Sequence, residues 1–218
     1  YSSAEEIKKK LKQLTRYSDP DPDKNTIFLW PEGVFTGYSH NEISQFSDHI
    51  KNKFSKNHYI MFGINTKEKN SEKYFNSLVV VNNKFEILHQ YNKKKLVPFG
   101  EFLPFEIFLN KFGLKKITQG YESFSSGKNQ ENIIINNLNI LPLICYEVIF
   151  PELVQRSDYR TNLIVNISED GWFGESIGPH QHFAKAIFRS IENDTFLIRS
   201  ANKGISAIIN NKGEIIKK

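Results

Sequence analysis

Residues 141–152, LPLICYEVIFPE, are the stretch on which the reading of this chain turns. They contain the only cysteine among 218 residues, Cys145. The apolar run 140–144 leads into it and predicts a buried strand. Tyr146 and Glu147 follow. Pro151 and Glu152 then open an apolar-periodic segment that predicts a helix, because a proline in the first helical turn loses no intrahelical bond. Cys145 is thereby placed at a strand-to-helix turn. Main-chain N–H groups gather there and favour negative charge on a thiolate or an oxyanion. On position alone the residue also reads as a small buried hydrophobe.

Working outward, residues 133–135 predict the strand that precedes 140–145, joined to it by the turn Asn136-Asn137. Residues 163–167 predict the next buried strand. The segment 168–179, SEDGWFGESIGP, reads as a glycine-rich loop with two aromatics, Trp172 and Phe173. Residues 180–193 carry the helical period in His180, Phe183, Ala184, Ile187, Phe188 and Ile191. Strands at 195–199 and 206–209 follow, then a turn at 210–213, NNKG, whose returning strand is barely begun at Lys218. Toward the N-terminus, 3–17 predicts a helix, with Ser3 and Glu6 as a capping box and Ile7, Leu11 and Leu14 on one face. Residues 26–30, TIFLW, predict a buried strand that delivers Pro31-Glu32-Gly33 at its end. Ser39 and Glu42 form a second capping box ahead of one helix marked by Ile43, Phe46, Ile50 and Phe54. Strands are expected at 59–63 and 76–81, with 65–73 as a loop between them. The turn Asn82-Asn83 leads to a returning strand at 85–91. Residues 93–105 are irregular, 106–114 read as a short helix, and 120–132 as a polar loop. Strands alternating with helices argue an α/β domain.

Composition supports one soluble globular domain: 39% hydrophobic, 13% aromatic and 24% charged residues. No apolar run approaches the roughly 20 residues of a membrane-spanning helix. A single cysteine excludes an intrachain disulfide and leaves the redox compartment unread. The net charge of +5 is spread over a lysine-rich surface and reads as solvation. No nucleic-acid-binding motif is present.

A cysteine nucleophile needs a base and donors for an oxyanion. Six histidines are present, and none occupies a strand end like that of Cys145. Glu32 does. A carboxylate between Pro31 and Gly33 at the end of a buried strand is a candidate base if partly desolvated, and an ordinary loop glutamate otherwise. Lys93, Lys94 and Lys95 follow the strand 85–91, and one of them is placed to supply a cation to an oxyanion. Glu101 and Glu147 are candidates to hold that lysine or the nucleophile. The pair His180 and His182 does not share a helical face and has no partner at metal-ligand spacing.

Four segments, WPEGVFTGY, YNKKKLVPFGEFLPF, LPLICYEVIFPELV and NISEDGWFGESIGPHQHFAKAIFRSIENDTFLIRSANKGISAII, together resemble the nitrilase (carbon–nitrogen hydrolase) superfamily. Within it they are most similar to the nitrilase-like domain of the bacterial apolipoprotein N-acyltransferases. The resemblance runs from about Thr26 to the end of the chain. It implies a single αββα sandwich over residues 1–218, cut at both ends. It also implies a membrane-spanning helical domain ahead of this one in the family.

The resemblance further implies Glu32 as general base, Lys93 as catalytic lysine and Cys145 as nucleophile. Glu101, Tyr146 and Glu147 become supporting residues, with the Tyr146 N–H as an oxyanion donor. Trp172 and Phe173 are expected to contact acyl chains. The implied reaction transfers an acyl chain from phospholipid, through a Cys145 thioester, to the amine of a diacylglyceryl-cysteine lipoprotein. The implied partners are the phospholipid donor, the lipoprotein acceptor and the bacterial inner membrane, with this domain on the periplasmic side. No metal or other cofactor is required, and no nucleic acid is involved. The chain alone is expected to be inactive toward membrane-anchored lipoproteins. The other readings are a soluble amidase or nitrilase and a non-catalytic remnant.

Overall fold

The structure is a computed structural model that describes residues 4–35, 37–102, 123–129, 131–154 and 161–218. Ser3 of the first capping box, the helix expected at 106–114 and residues 155–160 beyond Pro151 lie outside the described residues. Among the described residues ten strands form two sheets. The first contains β1 (Thr26–Leu29), β2 (His58–Lys67), β3 (Tyr74–Val81) and β4 (Ile87–Asn92), in that order. The second contains β5 (Ile133–Ile135), β6 (Leu138–Ile144), β7 (Leu163–Glu169), β8 (Phe196–Asn202), β9 (Ala207–Ile209) and β10 (Ile215–Lys217), in the order β10-β9-β8-β7-β6-β5. β1 pairs parallel with β2, and β6, β7 and β8 are mutually parallel, while the remaining neighbours are antiparallel. Among the described residues the α-helices are α1 (Ala4–Ser18), α2 (His40–Ser44), α3 (Asp48–Lys51) and α4 (Gly178–Glu192).

Strand periodicity separates three cores. In β2, Ile60, Phe62 and Ile64 join Ile7 and Leu11 of α1 on the outer side of the first sheet, with Ile43, Ile50 and Phe54. Met61 of β2 and Leu78 and Val80 of β3 point the other way, toward Ile140, Ile144, Val165 and Ile167 of the second sheet. Leu141, Leu143 and Ile164 face outward beneath Phe183 and Ala186 of α4. Helix, sheet, sheet and helix therefore stack in the αββα order that the family resemblance implies.

Several boundaries differ from that reading. The helix expected from Ser39 to Phe54 is two short helices. Ser44 Oγ donates to the Asn41 carbonyl at 2.7 Å, and Gln45 Nε2 donates to the Glu42 carbonyl at 2.6 Å. Side chains that bond to nearby carbonyls compete with the helical ladder. The loop expected at 65–73 is shorter, spanning 68–73, because Asn65, Thr66 and Lys67 extend β2 and pair with Asn76, Phe75 and Tyr74 through main-chain bonds that need no apolar side chain. Phe85 belongs to the turn, at φ 64°, and β4 starts later, at Ile87. After β6 the chain forms two 3-10 turns, Cys145–Ile149 and Pro151–Leu153, where a helix is expected from Pro151.

Phe62 is fully buried, with its ring centroid 5.7 Å from Trp30, 5.6 Å from Phe35 and 5.7 Å from Phe85. Phe62→Ala is expected to lower the unfolding free energy by about 3–5 kcal/mol, as loss of a core aromatic does. Leu88→Ala, at a position 44% exposed, should change it by less than about 0.5 kcal/mol. Urea denaturation of both variants checks this contrast.

Candidate active site

Four strand ends meet at one place. β1 ends just before Trp30-Pro31-Glu32, β4 just before Lys93 and β6 just before Cys145, while β7 ends in Ser168 and Glu169. Open α/β sheets present ligand-binding groups at the carboxyl ends of their strands for the same reason: side chains emerge there without covering the sheet. Gly63 of β2 makes the approach of the two sheets feasible. A Cβ at this position would lie 3.0 Å from Glu32 Cα and 3.0 Å from Ile167 Cδ1.

Glu32 is held at both oxygens. Oε1 accepts from Asn76 Nδ2 at 2.7 Å, and Oε2 accepts from the Glu169 main-chain N–H at 2.9 Å. The same N–H and the Ser168 hydroxyl reach the Cys145 sulfur. Cys145 itself has φ 50°, a left-handed conformation that is costly for a residue with a Cβ and that clusters at functional turns. Burial pushes its thiol up to about 12 and the Glu32 carboxylate adds to that, against the pull of the Lys93 ammonium, Ser168 and Glu169. At neutral pH the sulfur is therefore protonated, and a reaction at this sulfur needs a base beside it.

Lys93 is 1% exposed, and its Nζ donates to Glu101 at 2.9 Å. Burial works against the ammonium, but the carboxylates of Glu101 and Glu32 outweigh it and raise the lysine above its ordinary value. Glu101 is fixed in turn by Asn76 Nδ2 at 2.7 Å and by the Val97 N–H at 2.8 Å. Asn76 thus bridges Glu32 and Glu101. Nothing in its strand pattern set it apart in sequence.

Glu147 is fully buried and ties the sheets together. Its Oε1 accepts from Tyr91 Oη at 2.8 Å, from the Lys94 N–H at 2.7 Å and from the Lys95 N–H at 3.1 Å. Its Oε2 accepts from the Ile144 N–H at 2.8 Å. Burial raises its pKa despite these donors and the nearby Lys93 charge. Lys94 and Lys95 enter the site through their main chain. The Lys95 side chain pairs with Glu152 at 3.3 Å, on the surface.

A second buried polar cluster was not legible in the sequence. Asp170 accepts from Ser168 Oγ at 2.6 Å and from Arg199 Nη2 at 2.9 and 2.8 Å. His182 Nδ1 lies 3.0 Å from Asp170 Oδ1, and its Nε2 lies 3.1 Å from the Cys145 carbonyl oxygen. Arg199 also reaches Asn166 and the Ile205 carbonyl. Burial works against the Asp170 carboxylate, but His182, Arg199 and Ser168 hold it down at about 2. No histidine needs a strand end to reach Cys145: His182, on a helix, meets its carbonyl in space. His182 arrives from α4, 37 residues later in the chain. The one available signal was an ionisable residue on the apolar face of the helix. His180 is exposed, so the two histidines diverge.

Tyr146 is half-buried, its ring 5.5 Å from that of Phe150. Trp172 is 64% exposed, whereas Phe173 packs 5.5 Å from the His182 ring. The two aromatics therefore divide between a free surface and support for the buried cluster.

Residues 10–218 match the carbon-nitrogen hydrolase family. The apolipoprotein N-acyltransferase of Brucella suis is 34% identical over 201 residues, 90% of this chain and 37% of that protein. That of Bradyrhizobium diazoefficiens is 34% identical over 226 residues, 99% of this chain and 42% of that protein. The chain thus spans less than half the length of these relatives. Among solved structures, the carbon-nitrogen hydrolase superfamily protein XC1258 from Xanthomonas campestris, which carries an arsenic adduct in its active site, superposes with a TM-score of 0.67. The match has 15% identity and covers 96% of this chain and 79% of that one. The fold, the family match and the relatives agree, and this chain belongs to the carbon-nitrogen hydrolase family.

Proposed function

We propose that this domain is the catalytic part of an apolipoprotein N-acyltransferase, with Glu32, Lys93 and Cys145 as its triad. The observation that carries the reading is the convergence of three strand ends that present a buried thiol at Cys145, a carboxylate at Glu32 held at both oxygens and a buried lysine at Lys93 paired with Glu101. Glu32 takes the Cys145 proton as the sulfur attacks the ester carbonyl of a phospholipid. Each Glu32 oxygen accepts one N–H and keeps a lone pair free for that proton. The Lys93 ammonium and the Tyr146 N–H hold the oxyanion of the tetrahedral intermediate. Glu32 returns the proton to the departing lysophospholipid oxygen, leaving a thioester on Cys145. The amine of a diacylglyceryl-cysteine lipoprotein then attacks the thioester. Its proton passes through Glu32 to the sulfur, and the N-acylated product leaves.

Both substrates are lipids, so the reading places the domain at the periplasmic face of a bacterial inner membrane. Among the described residues no helix is long and apolar enough to cross a membrane. Membrane attachment therefore rests on the membrane-spanning domain that the family resemblance implies. Exposed Trp172 and Ile177, on the loop before α4, are the local candidates for meeting acyl chains.

Two outcomes test the triad, using a short-chain phospholipid and a short-chain lipopeptide acceptor, both soluble as monomers. Lys93→Ala should cost about 3–4 kcal/mol of transition-state stabilisation, some hundredfold or more in kcat/KM. Lys94→Ala and Lys95→Ala keep the N–H groups that Glu147 uses and should stay within about threefold. Equal losses at all three positions would make the run a basic patch. Glu32→Gln should lower acyl transfer by about 10²–10⁴-fold. The same substitution removes a charge that raises the thiol pKa, so the rate of Cys145 alkylation by iodoacetamide, plotted against pH, should shift to lower pH. An alkylation profile that stays in place would contradict the assigned electrostatics, and retained transfer would remove Glu32 as the base.

A further inference from the structure

We infer that His182 is a positioning residue that aims the oxyanion-binding N–H of Tyr146 by holding the Cys145 carbonyl; this rests on the nucleophile assignment above. A carbonyl oxygen can only accept, so His182 Nε2, at 3.1 Å, carries the hydrogen and donates it. The Cys145 carbonyl and the Tyr146 N–H are the two ends of one planar trans peptide unit and point in opposite directions. Fixing the oxygen on the α4 side therefore directs the N–H to the other side of the peptide. At φ 50° the Cys145 main chain sits in a narrow well, and an anchor on the next peptide keeps it there.

His182 is itself built in rather than merely nearby. It is 4% exposed. Its Nδ1 lies 3.0 Å from Asp170 Oδ1 and 3.0 Å from Arg199 Nη2, and Phe173 packs on the ring. Asp170 and Arg199 have fully buried side chains and bond to each other, so their charges are compensated. A buried ion pair of this kind is weak evidence for stability, because apolar residues of similar volume often do as well. Its value here is directional: it leaves the imidazole one orientation, with Nε2 toward the nucleophile's peptide. Asp170 also accepts from Ser168, whose hydroxyl reaches the Cys145 sulfur, so one cluster meets the nucleophile at its sulfur and at its carbonyl.

Two probes of Cys145 separate this role from general support. Iodoacetamide alkylates the sulfur by direct displacement and forms no oxyanion. A p-nitrophenyl ester acylates it through a tetrahedral oxyanion. His182→Gln keeps a donor near the Nε2 position, and His182→Asn keeps one only near Nδ1. In the 218-residue chain, His182→Asn is expected to slow ester acylation tenfold or more and alkylation by less than threefold. His182→Gln should stay within about threefold of the parent with both probes. Circular dichroism and thermal melting establish that each variant is folded. Should His182→Asn fail to fold, His182→Gln alone decides, since a tenfold loss of ester acylation in that variant would overturn the inference. Equal losses with both probes in His182→Asn would overturn it as well. If the parent forms no Cys145 adduct with the ester, the nucleophile assignment fails and takes this inference with it. Parent acylation that is unchanged in His182→Asn removes the inference alone.

Discussion

The arrangement depends on one buried carboxylate. Glu147 collects the N–H groups of Lys94 and Lys95 from the first sheet's strand end, the Ile144 N–H from the second, and the Tyr91 hydroxyl. A fully buried carboxylate is costly unless its lone pairs are filled, and here four donors fill them. The consequence is geometric. Lys93 is the neighbour of Lys94, and Cys145 is the neighbour of Ile144. Gluing those two main-chain segments to the same carboxylate sets the distance between cation and sulfur across the gap between the sheets.

Around that link, charge is balanced in pairs. Glu101 faces Lys93, Asn76 joins Glu101 to Glu32, and Arg199 faces Asp170. The two buried clusters lie on either side of Cys145. One contains the groups that would act on substrate. The other touches the nucleophile only at its carbonyl and through Ser168. In a low-dielectric interior such fixed dipoles need no reorganisation when charge develops, which is the usual source of large electrostatic effects at reacting atoms.

Much of this was readable in the amino-acid sequence, for physical reasons. Glu32, Lys93 and Cys145 each follow a run of strand-forming residues, so alternation and turn signals place them at strand ends. Gly33, at φ 75°, and Asn136, at φ 52°, mark turns that a left-handed conformation demands. The extension of the β2–β3 hairpin through Asn65, Thr66 and Lys67 was not readable. Those pairings are main-chain bonds, and Thr66 is buried by a hydroxyl contact with Ser77 at 2.7 Å rather than by hydrophobicity. The Asp170–His182–Arg199 cluster was hidden for a different reason. Its members come from a 3-10 turn, a helix and a strand, and no local period relates them. Only their convergence behind Cys145 shows what each is for.

The central claim is that Cys145 carries the acyl group. Its most direct test is mass spectrometry of the intact chain and its peptides after incubation with a short-chain phospholipid. The account predicts one hydroxylamine-labile acyl adduct per chain, on Cys145, and none in Cys145→Ser. An acyl group on another residue, or an adduct that persists in Cys145→Ser, would contradict it.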